Sequence, residues 1–289
     1  MPKKKDRWPE LCKLVEQPDN LPTREAGPWT EDKLYFWNRY IDITTTSMIG
    51  HPKWPEGLVY VDLFSGPGVC QIRESGKRFP GSTLIAAHAP KMFRQILLCE
   101  LIDANADALE TRLKRSPANG RWQVFRGDCN KLVVDIAAQI PPKVLTLAFI
   151  DPEALHVEFD TIRTLADRGR VDLLILFADY MDIVRNVDRY YQQQQSNLDR
   201  MLGPSSNWRL RWTQLANRTP QNICKLFAEE YTAQLRQLGY TDFREKVMTA
   251  PNGPIYRLIF GSKHARGCEF WDNIVKRDRS GQDDLPWNS

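Results

Sequence analysis

Apolar positions along this chain follow two patterns that alternate from residue 58 onward. Short, mostly apolar runs at 58–64, 95–100, 122–126, 144–150 and 171–177 read as strands of a buried sheet. Between them, 82–93, 103–115, 130–140 and 158–168 space their apolar residues for one helix face. Strands alternating with helices imply right-handed βαβ units and a mostly parallel sheet with helices on both sides.

The flanks read differently. Residues 1–28 are proline-rich and charged with little periodicity, which predicts an irregular arm. Within 29–57, Thr30 is placed to cap a helix whose first turn holds Glu31 and Asp32, with Leu34, Trp37 and Ile41 at helical spacing. That helix should fade near Met48, and 50–57 should connect it to the first strand. Regularity lapses again at 179–218, a partly helical insertion. Thr219-Pro220 then supplies a cap and a proline at the first helical position, and Gly239 ends the helix. Residues 243–248 and 255–260, joined through Pro251-Asn252-Gly253, predict an antiparallel hairpin. The main domain thus spans 58–275, followed by a tail at 276–289.

Composition narrows the class rather than the function. The 289 residues include 42% hydrophobic and 26% charged positions, as expected of a folded α/β chain. Forty basic against 36 acidic residues give a formal charge of +4, which neither indicates nor excludes a nucleic-acid partner. No apolar run reaches the ~18 residues of a membrane span. The basic start lacks a following apolar stretch, so no secretory signal is expected and the expected location is cytoplasmic. Six widely spaced cysteines without a Cys-x-x-Cys pair predict reduced thiols, with no metal site and no disulfide framework.

Chemistry concentrates at the predicted strand ends. Asp62-Leu63-Phe64-Ser65-Gly66-Pro67-Gly68 follows the first strand, where Gly66 and Gly68 allow a sharp turn and a close ligand approach. The dinucleotide fingerprint fails at Gln71, and no phosphate-binding Gly-Lys-Ser/Thr follows. An acid beside such a turn suits S-adenosylmethionine, a cation without phosphates; an ordinary tight turn is the alternative. Glu100 ends the second strand, where a carboxylate can accept two ribose hydroxyls. Asp128 ends the third, placed either to take an adenine amino group or to cap the next helix. Asp151-Pro152-Glu153 ends the fourth. In a doubly wound sheet all these ends face one crevice.

Taken in order, these segments resemble a class I S-adenosylmethionine-dependent methyltransferase. More narrowly, the chain is similar to the three-Cys-motif partner family of bacterial proteins over about residues 28–275. That likeness is carried by Trp29-Thr30-x-x-Lys33-Leu34 with Tyr40, the glycine turn, Pro80-Gly81-Ser82, Phe149-Ile150-Asp151-Pro152, and 256–264. The resemblance implies a doubly wound, Rossmann-like fold with a seven-stranded, mostly parallel sheet and a C-terminal antiparallel hairpin. It also implies S-adenosylmethionine bound by Asp62, Phe64, Ser65, Gly66, Pro67, Gly68, Glu100, Asp128, Asp151 and Pro152, and a radical-S-adenosylmethionine-like protein as partner.

Methyl transfer needs an aligned nucleophile and a place for its proton. Asp151, Glu153 and His156 follow the fourth strand and are the catalytic candidates. Amino-methylating enzymes often carry Asp/Asn-Pro-Pro-Tyr/Phe here; this chain has Asp151-Pro152-Glu153-Ala154, without the stacking aromatic. Lys33 and Tyr40 are candidates for lining the crevice. Trp208, Arg209 and Arg211 combine charge with stacking surface, as does the basic stretch Lys3-Lys4-Lys5 with charge alone. The first expectation is therefore a methyltransferase for a nucleic-acid base or nucleotide. A small-molecule or peptide methyltransferase and a non-catalytic cofactor-binding subunit are the alternatives. In the bland reading, the tryptophan segment is a strand that packs through its tryptophans and Leu210 while its arginines face water.

Overall fold

The five apolar runs fold as parallel strands in the computed structural model, which describes residues 6–276 and Arg279. They are β1 (Leu58–Asp62), β2 (Gln95–Glu100), β3 (Trp122–Arg126), β4 (Leu145–Ile150) and β5 (Arg170–Phe177). The hairpin supplies β6 (Asp242–Ala250) and β7 (Gly253–Ser262). Their order across the sheet is β3-β2-β1-β4-β5-β7-β6, with β7 antiparallel to both neighbours. This is a doubly wound, Rossmann-like α/β fold with a seven-stranded, mostly parallel sheet ending in an antiparallel hairpin. Strand order reverses beside β1, since β2 lies on one side and β4 on the other. The chain leaves these strands in opposite directions, and a crevice opens at their carboxyl ends.

The helix Pro28–Met48 closes one face of the sheet. It is capped at Gly27 with Pro28 in its first turn, three residues earlier than the Thr30 cap expected from sequence. Fully buried Trp37 stacks on Tyr40 at 5.5 Å and on Phe149 at 5.3 Å, and donates from Nε1 to Tyr60 Oη at 3.0 Å. The helix is thereby fixed in rotation, with Lys33 one turn closer to the crevice.

Three expectations need correction. The arm is ordered through its described part: it holds a helix, Trp8–Lys13, and a strand, Arg24–Ala26. That strand pairs in parallel with Val69–Ile72, which pairs with Arg78–Pro80 to complete a small sheet absent from the sequence reading. The helix expected over 82–93 stops at Ala87, before the Pro90 that could not continue it. The tryptophan segment is a helix, Trp208–Gln214, rather than a strand. Four-residue spacing puts Trp208 and Trp212 on one face, where both pack on Phe227, while Leu210, expected to pack with them, is exposed. Lys3-Lys4-Lys5 and 277–289, Arg279 apart, lie outside the described residues.

Candidate functional site

The turn after β1 is shaped by two glycines in the left-handed region, Gly66 at φ 60° and Gly68 at φ 89°. Across the reversal point, Glu100 answers it. Its Oε2 accepts from the Gly66 amide at 2.8 Å and its Oε1 from the Ile102 amide at 2.9 Å. Turn and carboxylate are therefore joined along the wall of a crevice of about 680 Å3, within the usual range for small-molecule sites.

Phe64, Gly66, Pro67, Glu100, Asp128, Asp151, Glu153 and His156 all line this crevice. Asp128 also caps the helix Cys129–Ala138, its Oδ1 accepting from the Asn130 amide at 3.0 Å, which is the capping role read from sequence. Asn130 in turn ties the loop after β4 in place, donating to His156 O at 2.8 Å and accepting from the Glu158 amide at 3.0 Å.

Asp151 lies at the inner wall, 3% exposed. Its Oδ2 takes Lys33 Nζ at 2.5 Å and Arg24 Nη1 at 3.3 Å, while its buried Oδ1 has no hydrogen-bond partner among the described residues. Burial alone would raise this carboxyl, but Lys33 and then Arg24 hold it below the ordinary carboxylate range. Burial pulls Lys33 down from the usual lysine range against the attraction of Asp151. The Lys33 ammonium also sits 5.5 Å from the Tyr256 ring, whose buried hydroxyl is likewise unpartnered. Asp151 lines the crevice, whereas Lys33, a sequence candidate for lining it, and Tyr256 are buried behind it and do not line it.

Other sequence candidates lie elsewhere. Asp62 turns inward: its carboxylate accepts from Ser82 Oγ at 2.6 Å and the Phe64 amide at 3.1 Å, and burial pushes it up to about 6. It braces the turn from behind instead of lining the crevice. Ser65 and Gly68 border a small cleft behind the turn, and Pro152 is buried. Tyr40 is in the core, donating to Asp172 Oδ2 at 2.7 Å. Trp208 is buried, Arg209 binds Asp199 and three carbonyls, and Arg211 binds Glu229 and Glu230. No residue of the 179–218 insertion lines the crevice.

The sequence reading missed Thr23, Arg24 and Glu25, which the arm lays along the crevice edge. Nothing in the local sequence marks a three-residue strand whose partner lies 46 positions downstream. Tyr256 was within the family-like segment near the end but was assigned no role.

No protein-family model and no curated protein matches the chain. Among solved structures, a Legionella pneumophila protein aligns over 83% of this chain and 92% of its own at 13% identity and a TM-score of 0.49. An O-methyltransferase from Bacillus cereus in complex with SAH aligns over 91% and 94% at 11% identity and a TM-score of 0.49. The O-methyltransferase TomG from Streptomyces achromogenes, in complex with SAM, aligns over 91% and 92% at 7% identity and 0.45. At such low similarity the reaction must be read from the chain's own residues.

Proposed function

We propose that this chain transfers a methyl group from S-adenosylmethionine to a small-molecule acceptor. The observation that carries the reading is the joining of Glu100 to the Gly66 turn at the reversal point, with Asp128 beside it. An acid-lined crevice without a phosphate cradle suits a cationic nucleoside with free ribose hydroxyls. Glu100 would hold the ribose, Asp128 would face the adenine, and the turn would pass beneath the sulfonium. When bound, the cofactor supplies an electrophilic methyl carbon.

The acceptor end falls to the loop after β4 and to the arm. Arg24 and Lys33 hold Asp151 ionised, and its free Oδ1 can orient a hydroxyl or amine donor toward the methyl. Glu153, 80% exposed on the same loop and 3.9 Å from Arg24, is placed to receive the proton as the acceptor is alkylated. Arg24 and the small sheet narrow the entrance, which restricts water and large substrates.

A nucleic-acid acceptor draws no support from Trp208, Arg209 and Arg211, whose rings are packed and whose charges are paired.

Calorimetric titration with S-adenosylhomocysteine tests the cofactor site. One-site binding, weakened by about tenfold or more in Glu100→Ala, is expected from the loss of charge-assisted contacts. A folded wild-type protein that binds nothing at millimolar ligand would overturn the reading. Transfer of labelled methyl from the cofactor to RNA or DNA, with none to a metabolite extract, would overturn the small acceptor.

A further inference from the structure

The sheet has a second opening, at the end opposite the crevice. The last turns of the helix Pro28–Met48, the 50–57 connection, the starts of β4 and β5, and the turn after β7 enclose a cavity of about 220 Å3. It shares no lining residue with the crevice. Lys33 and Thr44, on the same helix, serve different sites and stand about 16 Å apart along its axis.

The floor of this cavity is polar and already satisfied. Asp172 accepts from Ser262 Oγ at 2.6 Å and from Tyr40 Oη at 2.7 Å. Gly267 is packed so closely over this pair that a Cβ there would lie 2.4 Å from Ser262 Oγ. The walls are apolar, formed by Met48, Trp54, Leu145 and Phe270. Thr44 Oγ1 borders them, 1% exposed and without a hydrogen-bond partner of normal geometry.

Around the mouth stand six basic side chains: His51, Lys53, Arg170, Lys263, His264 and Arg266. Arg170 and Lys263 are engaged with the carbonyls of Lys263 and Ala166. Lys53 lies over the Trp54 ring at 5.5 Å, and neither it nor Arg266 forms a salt bridge among the described residues. Among the described residues Asp172 is the sole acid in the lining, and it is at the floor.

We propose that this cavity is a binding site for a small organic anion. Its aromatic or aliphatic body would pack against Trp54 and Phe270, with a hydrogen-bonding group reaching Thr44. Its anionic group would stay at the mouth with Lys53 and Arg266, away from the buried Asp172. Apolar walls beneath an unpaired cationic rim favour a ligand with both parts over either part alone.

Phenyl phosphate is a suitable probe, with inorganic phosphate and phenol as its two halves. The chain has four histidines, and two of them, His51 and His264, are at this mouth, whereas His156 lines the crevice. In a protein labelled at histidine and assigned by single His→Gln variants, phenyl phosphate should shift the His51 and His264 ring signals saturably and leave His156 in place. The exposed-site double variant Lys53→Glu/Arg266→Glu should weaken this binding by about tenfold or more, and each half-probe should bind at least as poorly as that variant binds phenyl phosphate. Shifts confined to His156, affinity unchanged in the double variant, phosphate binding as tightly as phenyl phosphate, or no saturable shift at millimolar probe would each overturn the proposal.

Discussion

Lys33 Nζ lies 2.5 Å from Asp151 Oδ2 with both side chains almost wholly excluded from solvent, so one buried ion pair joins the first long helix to the end of β4. Removing one partner strands the other charge. Lys33→Met should destabilise the fold by about 3 kcal/mol, the low end for a broken buried pair, because Arg24 still faces Asp151. Lys33→Met combined with Asp151→Leu should recover much of that loss. Urea unfolding of the two variants decides the matter, and equal losses in both would show that the pair is not coupled.

Asp172 gives a pH signature independent of ligands. Burial pushes its carboxyl up to about 6 despite hydrogen bonds from Ser262 and Tyr40, against an ordinary value of 3.8. The folded state therefore holds a proton that the unfolded chain has already released across roughly pH 4 to 6. Its contribution to stability is fullest below that window and falls as pH rises through it. Asp172→Asn has no such dependence. Its stability relative to wild type should improve by up to about 3 kcal/mol between pH 4 and pH 7. A difference that stays flat across urea titrations at the two pH values would contradict this.

Arg112 fastens the arm to the crevice. Its guanidinium meets Asp19 through two bonds of 2.8 Å and reaches the carbonyls of Pro22 and Pro67 at 2.8 and 2.5 Å. Arg112→Met should loosen residues 14–26 and remove about 2–3 kcal/mol of attachment. Limited proteolysis should then cut within that stretch many times faster, while β1 to β7 stay protected. Unchanged cleavage would mean that the small sheet alone holds the arm.

Much of this architecture is legible in sequence because periodicity reports burial, and burial sets the parallel sheet. The five runs, the hairpin, and the placement of Glu100, Asp128 and Asp151 at strand ends follow from that alone. What failed to show depends on contacts between distant segments. The arm was read as irregular since its order comes from Arg112 and from pairing with Val69–Ile72, neither of which leaves a local trace. Asp62 and Glu100 look alike as acids after apolar runs. Which one faces the crevice is decided by Ser82, a donor 20 positions away that draws Asp62 inward. Trp208 and Trp212 fit a strand or a helix by composition, and only their shared contact with Phe227 selects the helix.

The same segment supplies a test that separates packing from acceptor recognition. Arg209 lies 4.6 Å over the Trp208 ring and binds Asp199 and the carbonyls of Tyr190, Tyr191 and Gln193. Arg209→Ala should cost about 1–3 kcal/mol in thermal or urea unfolding, with S-adenosylhomocysteine affinity within twofold of wild type. Lost cofactor affinity in a variant of native stability would tie the insertion to the crevice after all.

The position of β7 has a consequence for how the chain is made. This strand follows every other described strand of the sheet in chain order, yet it sits between β5 and β6 with Leu258, Ile259 and Phe260 fully buried. Until residue 262 emerges, β5 presents a bare row of amides and carbonyls flanked by apolar side chains, a template for misassociation with other nascent chains. Ribosome-stalled chains ending near residue 250 should therefore depend on chaperones, whereas chains that have released β7 should not.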